Sequence, residues 1–371
     1  MKQLRAILVL FSFFASLFAS LQTDASDHKH ILMVLSSHGK EQGKVAPGYE
    51  FDEFSKAYLI FKQNNIQVTV ASPAGGEVEA DKFDPETEFN AQVLADSAIM
   101  KQLENTLATA QVDAEAYDGV FIVGGKGAMF DLPKDQALQR LIAQIYTSQG
   151  TVAAVCHGPA ALVDVQLPNG KFLVDGKAVN GFTNQEEKLF GKKWAKEFDF
   201  LLENKLIERG GKFESSPIML NHVVTDQRLI TGQNPTSTVA VAVELLKSMG
   251  VTPNEVPQYK DDITLDLVAE ILNGDQEAKA LLASKPELYH IELVAMYGYY
   301  YLMLAEQENE LENALTLMQL GQKAVKNPQL DIQIATVQHK LGKKAEASKT
   351  LNQIISEHPD FEPAKEMLKT L

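Results

Sequence analysis

The sequence predicts an α/β protein, with a mostly parallel sheet flanked by helices as in a flavodoxin-like sandwich, followed by a small all-α region. Three observations carry this. Continuous apolar runs at 31–35, 67–71, 119–123 and 152–155 read as strands covered on both faces. Segments with helical apolar spacing fall between them, at the interval of strand–helix–strand units. After Pro257 the strand-like runs stop and helix formers dominate.

The elements follow in order. The first strand, 31–35, runs into a Gly- and Ser-containing loop over 36–48. Phe54, Ala57, Tyr58 and Phe61 recur at helical spacing and predict a helix over 53–64. The second strand, 67–71, is closed by Pro73 and Gly75-Gly76. A helix over 97–108 precedes the third strand, which ends at Gly124-Gly125. Leu138, Leu141, Ile142 and Ile145 share one face of a helix over 136–149. The fourth strand leads to Cys156. Asp175-Gly176, between the apolar pairs 173–174 and 178–179, predicts a hairpin. A polar loop over 181–187 and a helix over 200–208 follow. A second strand pair, 222–226 with 229–231, leads through Gly232-Gln233-Asn234-Pro235 into a helix that runs to Met249 and is stopped by Gly250 and Pro253.

The chain is organised around TVAAVCHGPAAL, residues 151–162. A buried strand breaks there into a helical run, with a side chain on the turn. Gly158 permits the tight backbone and Pro159 suits a first helical turn. Free N–H groups at such a turn favour a thiolate. Cys156 is the one cysteine in the chain. A lone cysteine also serves as a small core residue, but the elbow and the neighbouring His157 favour a nucleophile. The loop after Leu35, the Gly124-Gly125 turn and Cys156 all lie at strand C-termini, the edge where open α/β sheets hold ligands.

A formal charge of −15 and a pI near 5.0 exclude the basic stripe of a nucleic-acid binder. Lys2 and Arg5 precede an apolar run over 6–21, and Thr23-Asp24-Ala25 offers small residues beyond it. This predicts a cleaved signal peptide over 1–25 and export to a bacterial periplasm, with no membrane attachment after cleavage. An uncleaved anchor is the alternative. An α/β domain over 28–252 and a helical domain over 258–371 follow. In the latter, Gly342, Ala347, Leu351, Ile354 and Pro359, with Ala335, fall at the spacings of a tetratricopeptide helix pair. Ala314 and Gly321 mark a degenerate pair over 297–328. Too few repeats are present to stand alone, so the tail is expected to pack on the first domain or on another copy. His28 and His30, with Asp27, are weak metal candidates on a polar leader; His38 lies on a loop near the expected site.

The stretches FIVGGKGAMFDLP (121–133), AAVCHGPAAL (153–162), VNGFTNQEE (179–187) and LITGQNPTST (229–238) together resemble the ThiJ/PfpI superfamily, of class I glutamine amidotransferase-like fold. The resemblance is to its branch of glutathione-independent glyoxalases and heat-shock chaperones. It implies Cys156 as nucleophile, His157 as its histidine and Glu187 as the acid, with Glu186 as the alternative. It also implies Glu53 as a second acid near the thiol, with Glu50 and Asp52 as rivals. Backbone N–H groups of Gly125 and His157 match the oxyanion-binding pair, and Gly124 and Lys126 of the same turn are also implied as oxyanion- or substrate-binding. Lys126 stands where the family often carries histidine; it would attract anionic substrates or face solvent. The implied activity is that of a glyoxalase III-like lyase, converting 2-oxoaldehydes such as methylglyoxal to 2-hydroxy acids through a Cys156 hemithioacetal. No cofactor and no metal are implied. A cysteine amidase, peptidase or deglycase on the same site, and a chaperone or scaffold acting through the tail, are the alternatives. The implied partners are a small carbonyl substrate, a second copy in a homodimer and a protein ligand for the tail.

Overall fold

The computed structural model describes residues 29–39 and 47–371; the expected signal peptide, Asp27 and His28 lie outside the described residues. The α/β part runs β1 (His30–Val34), α1 (Phe51–Gln63), β2 (Gln67–Ser72), α2 (Glu88–Ala95), α3 (Ser97–Glu104), β3 (Leu107–Ala108), β4 (Gly119–Ile122), α4 (Ala128–Asp131), α5 (Gln136–Thr147), β5 (Thr151–Val155), β6 (Ala178–Val179), α6 (Asn184–Phe190), α7 (Leu202–Glu208), β7 (Lys212–Phe213), β8 (Val223–Asp226), β9 (Leu229–Gly232) and α8 (Thr238–Ser248). The helical part comprises α9 (Lys260–Leu272), α10 (Gln276–Ser284), α11 (Ile291–Leu302), α12 (Glu308–Val325), α13 (Pro328–Lys340), α14 (Lys344–Glu357) and α15 (Glu362–Thr370).

Seven strands form one sheet in the order β3-β2-β1-β4-β5-β9-β8. All neighbours are parallel except β8 and β9. The apolar runs explain the centre: Ile31 to Leu35, Val120 to Val123 and Val152 to Val155 are fully buried, as parallel strands covered by helices on both faces must be. The chain winds outward from β1 to β3, then returns to place β4 on the other side of β1. In open sheets such a reversal, here at the carboxyl ends of β1 and β4 beside the end of β5, is where ligands are held.

Several local expectations need correction. The helix expected over 97–108 stops at Glu104, because Thr106 is claimed by the sheet edge: its hydroxyl meets Ser72 and Gly76. Leu107–Ala108 then pairs with β2. The hairpin expected around Asp175-Gly176 does not form. The turn exists, with Gly176 at φ +75°, but Leu173 N–H bonds Val165 and Ala178–Val179 pairs in parallel with β7. The polar loop expected over 181–187 is in part helix α6. Thr183 and Glu186 form a capping box at its start, a pattern present in the letters TNQE. The helical run after Cys156 is a single short 3-10 segment, Gly158–Leu162.

The helical part packs on the first domain. Ile218 and Leu220 of the α/β chain share one apolar cluster with Leu265, Val268, Ile271, Tyr297 and Leu317. Within the tail, α11 and α12 approach closely and antiparallel. A Cβ on Gly298 would lie 2.8 Å from Leu317, and one on Gly321 would lie 2.5 Å from Ala295. Ala335 and Ala347, on the next two helices, are likewise fully buried.

The domains are also joined by charge. Lys56 Nζ reaches both oxygens of Asp262, at 2.7 and 2.9 Å. It lies over the rings of Phe89 and Tyr259, and its side chain is only 8 % exposed. Removing one member of such a pair strands the other's charge. Lys56→Met is therefore expected to lower unfolding free energy by about 3 kcal/mol, and Lys56→Met with Asp262→Leu to recover most of that loss. Equilibrium denaturation of the two variants checks this.

Candidate active site

Cys156 occupies the bend between β5 and the following 3-10 turn with φ +60°, a left-handed conformation rare for a residue with a side chain. The bend is held by two backbone bonds: Cys156 N–H donates to Gly232 O at 2.9 Å, and Phe182 N–H donates to Cys156 O at 2.8 Å. Glycine lets the neighbouring turn come close. A Cβ on Gly124 would sit 2.8 Å from the Cys156 Cβ, and one on Gly125 (φ +90°) would sit 2.5 Å from Glu50 N. The residue is 3 % exposed.

The imidazole of His157 lies beside the thiol, with Nδ1 3.5 Å from Sγ. Its Nε2 is 2.9 Å from Glu187 Oε2. A carboxylate can only accept, so Nε2 donates and Nδ1 faces the sulfur as an acceptor. Glu187 is thus the acid partner. Glu186 points elsewhere: it receives bonds from Met219 N–H, Gln233 Nε2 and Asn234 Nδ2 and caps α6.

Glu53 comes from the first turn of α1 and is fully buried. Its Oε2 accepts from Gly124 N–H at 2.6 Å; its Oε1 is buried with no hydrogen-bond partner. Of its rivals, Asp52 is turned away and accepts from Asn90 Nδ2. Glu50 remains near the site as a second carboxyl. Burial, and then the charge of Glu50, pushes the Glu53 pKa well above the usual carboxylate range. Burial followed by the charges of Asp52 and Asp81 pushes Glu50 up to about 8, against the opposing charge of Lys126.

Two expectations are corrected here. The thiol is not held as a thiolate by local N–H groups. Burial raises its pKa well above the usual value, the charges of Glu53 and Glu50 add to this, and the bond from Gly125 N–H only partly opposes it. Gly124 N–H is occupied by Glu53 and cannot serve a substrate oxygen, whereas Gly125 N–H faces the sulfur. Lys126 is partly exposed and pairs with Asp81 at 3.3 Å.

Other residues of the site were not found from the sequence. Phe182 packs its ring 4.4 Å from the imidazole of His157, and Phe198 lies 6.0 Å away. Asp131 ties down the loop after β1, accepting from Ser36 Oγ, Ser37 N–H and His38 N–H; burial lifts its pKa to about 6. Their aromatic and acidic letters carry no spacing that marks them. His38 stacks on Phe130 at 4.3 Å, and His30 meets Thr69 Oγ1. Among the described residues no cluster of His, Cys, Asp and Glu could hold a metal ion.

The raised carboxyls fix a pH dependence. A group that binds its proton more tightly folded than unfolded adds stability below its unfolded pKa and loses it as pH rises through the folded value. For Glu50 that window runs from 4.5 to about 8. Glu50→Gln is therefore expected to gain melting temperature over the parent by roughly a few degrees across that window, with a constant gap above it. Thermal unfolding at stepped pH checks this.

Comparison with known proteins gives the family. The model of the DJ-1/PfpI family matches residues 44–248. The chain is 32% identical over 244 residues to glutathione-independent glyoxalase hsp3101 of Schizosaccharomyces pombe, covering 60% of this chain and 96% of that one. It is 34% identical over 238 residues to glyoxalase 3 of Candida albicans, covering 58% and 96%. Among solved structures, the rapid encystment protein of Francisella tularensis matches with a TM-score of 0.56 at 32% identity, over 60% of this chain and 99% of that one. Glyoxalase III from Candida albicans matches with a TM-score of 0.54 at 26% identity, over 59% and 97%. The family model spans more than half of the chain, and on that evidence this chain belongs to the DJ-1/PfpI family.

Proposed function

We propose that this chain is a cofactor-free, cysteine-dependent lyase that converts 2-oxoaldehydes to 2-hydroxy acids. The observation that carries the reading is Glu53: a buried carboxyl of raised pKa with one oxygen fixed by Gly124 N–H, in hydrogen-bond contact with the Cys156 thiol. Acyl hydrolysis needs a thiol, a histidine and its acid partner. A second acid–base group set against the sulfur suits a reaction that must also move a proton between carbons. The names of the relatives, glutathione-independent glyoxalase and glyoxalase 3, support the same chemistry.

The proposed course balances without an added reagent. The Cys156 proton passes to His157 Nδ1, and the sulfur adds to the aldehyde carbon, giving a hemithioacetal whose oxygen is met by Gly125 N–H. Glu53 gives its own proton to that oxygen and, so ionised, removes the proton from the carbon while His157 protonates the neighbouring carbonyl oxygen, leaving an enediol; Glu53 then returns the proton to the adjacent carbon and takes one back from the first hydroxyl. The product is a thioester of the 2-hydroxy acid. Water, activated by His157, adds to it; the C–S bond breaks, the thiol recovers its proton and the acid leaves. The raised pKa of the thiol suits this order, because the proton is transferred as the carbonyl arrives rather than lost beforehand.

Purified protein is expected to form lactate from methylglyoxal without glutathione. Cys156→Ala is expected to abolish this, Glu53→Gln to reduce kcat by at least about a thousandfold, and Glu187→Gln by about ten- to a hundredfold. Lactate assays alongside a panel of amides and peptides decide the matter. Unchanged turnover in Glu53→Gln, or hydrolysis of the panel in its place, would sink the lyase reading.

Export is part of the same proposal. It is supported by Lys2 and Arg5 ahead of the apolar run over 6–21. N-terminal sequencing of protein from a periplasmic extract is expected to begin just after Ala25; an intact Met1 there would refute it.

A further inference from the structure

Helix α6 carries the acid of the His157–Glu187 pair, and the helical tail backs this helix from behind. Glu187 is held loosely for so central a group. Its Oε2 meets His157, while its Oε1 is buried with no hydrogen-bond partner. Its placement therefore depends on where the seven-residue helix α6 sits. Phe190, one turn further along, packs edge-on against Tyr300 of α11, with ring centroids 5.0 Å apart. Leu189 packs on the same apolar cluster as Tyr300.

A second line of contact runs through Glu186. Its carboxylate accepts from the N–H of Met219 at 2.7 Å. Met219 has φ +55°, a conformation that persists only where its surroundings hold it. Its two neighbours, Ile218 and Leu220, are buried in the cluster formed with the tail residues Leu265, Val268 and Tyr297. The Tyr297 hydroxyl is buried, has no hydrogen-bond partner and feels the charge of Glu186. Both flanks of α6 thus end on α11.

We propose that the helical tail is a positioning element of the active site, in which Tyr300 through Phe190, and Tyr297 alongside the 218–220 segment, hold α6 where Glu187 meets His157. The lever is short and stiff. A bond of 2.9 Å stops being one beyond about 3.5 Å, and a misplacement of about 1 Å in a catalytic group can cost up to ~100-fold in rate. Neither tyrosine touches the sulfur or the imidazole; they act through α6.

The test uses the full chain and its single thiol. Four variants are compared with the parent: Glu187→Gln, Tyr300→Ala, Tyr297→Phe, which keeps the ring and so the packing, and Met296→Ala on the exposed side of α11. Cys156 alkylation by iodoacetamide is followed from about pH 6 to about pH 10, and methylglyoxal turnover is measured in parallel. Tyr300→Ala is expected to shift the alkylation profile in the same direction as Glu187→Gln. It should lower kcat by about five- to tenfold with little change in KM, and add nothing in the Glu187→Gln background. Tyr297→Phe, which loses only a hydroxyl without a hydrogen-bond partner, and Met296→Ala should both leave the profile in place. A profile moved by Glu187→Gln but untouched by Tyr300→Ala overturns the proposal, as does one moved as far by Tyr297→Phe or Met296→Ala as by Tyr300→Ala. So do losses that multiply fully in the double variant, because independent destabilisation would produce them. The kinetic arm rests on the lyase reading and the alkylation arm does not. Absent turnover with coupled alkylation profiles would therefore sink the lyase reading and leave the positioning role supported.

Discussion

The bond from Gly124 N–H to Glu53 Oε2, 2.6 Å long and fully buried, is the contact on which the site depends. It joins the first turn of α1 to the turn after β4, and so locks two of the loops that converge on Cys156. It also satisfies one oxygen of a carboxyl that has lost its water. An isolated charge in such a place is too costly to keep, and the group responds by holding its proton. Local geometry is set by this interaction, while burial and the charge of Glu50 raise the proton affinity of Glu53 against it. Gly124 cannot be exchanged without disturbing both, since any side chain there would meet the Cys156 Cβ and the His157 backbone.

Around that contact the parts divide the work. The sheet supplies the ends of β1, β4 and β5, all fully buried, and Cys156 follows the last of them with a left-handed backbone. The capping box at Thr183 and Glu186 starts α6 at a defined residue. This sends Glu186 inward toward Gln233 and Asn234 and leaves Glu187 to the imidazole. Adjacent acids thus take unlike tasks, one structural and one chemical.

Much of this was legible in the letters. The apolar runs gave the central strands because full burial on both faces leaves no room for polar alternation. The elbow was legible because Gly158 and Pro159 follow a lone cysteine at a strand end. The choice between Glu186 and Glu187 could have been made from TNQE, because a capping box commits the acid at its fourth position. Other features were hidden for physical reasons. Strand β3 lay inside a segment of helical composition and is fixed by the Thr106 contacts with the sheet edge. Helix α2 has a polar surface and little periodicity. The protonated state of the thiol arises from three elements packing together: one helix start brings Glu50 and Glu53, and burial outweighs the N–H groups of the bend. No window of sequence contains that sum.

The shared cluster of Ile218 and Leu220 with Leu265, Val268 and Tyr297 bears on how such a protein could have arisen. A cassette joined by a tether can be gained or shed by recombination without injury to its neighbour. Here the junction is a common hydrocarbon interior, sealed further by the ion pair of Lys56 with Asp262. Excising the appendage from this chain would open greasy surface on the remaining half and invite clumping.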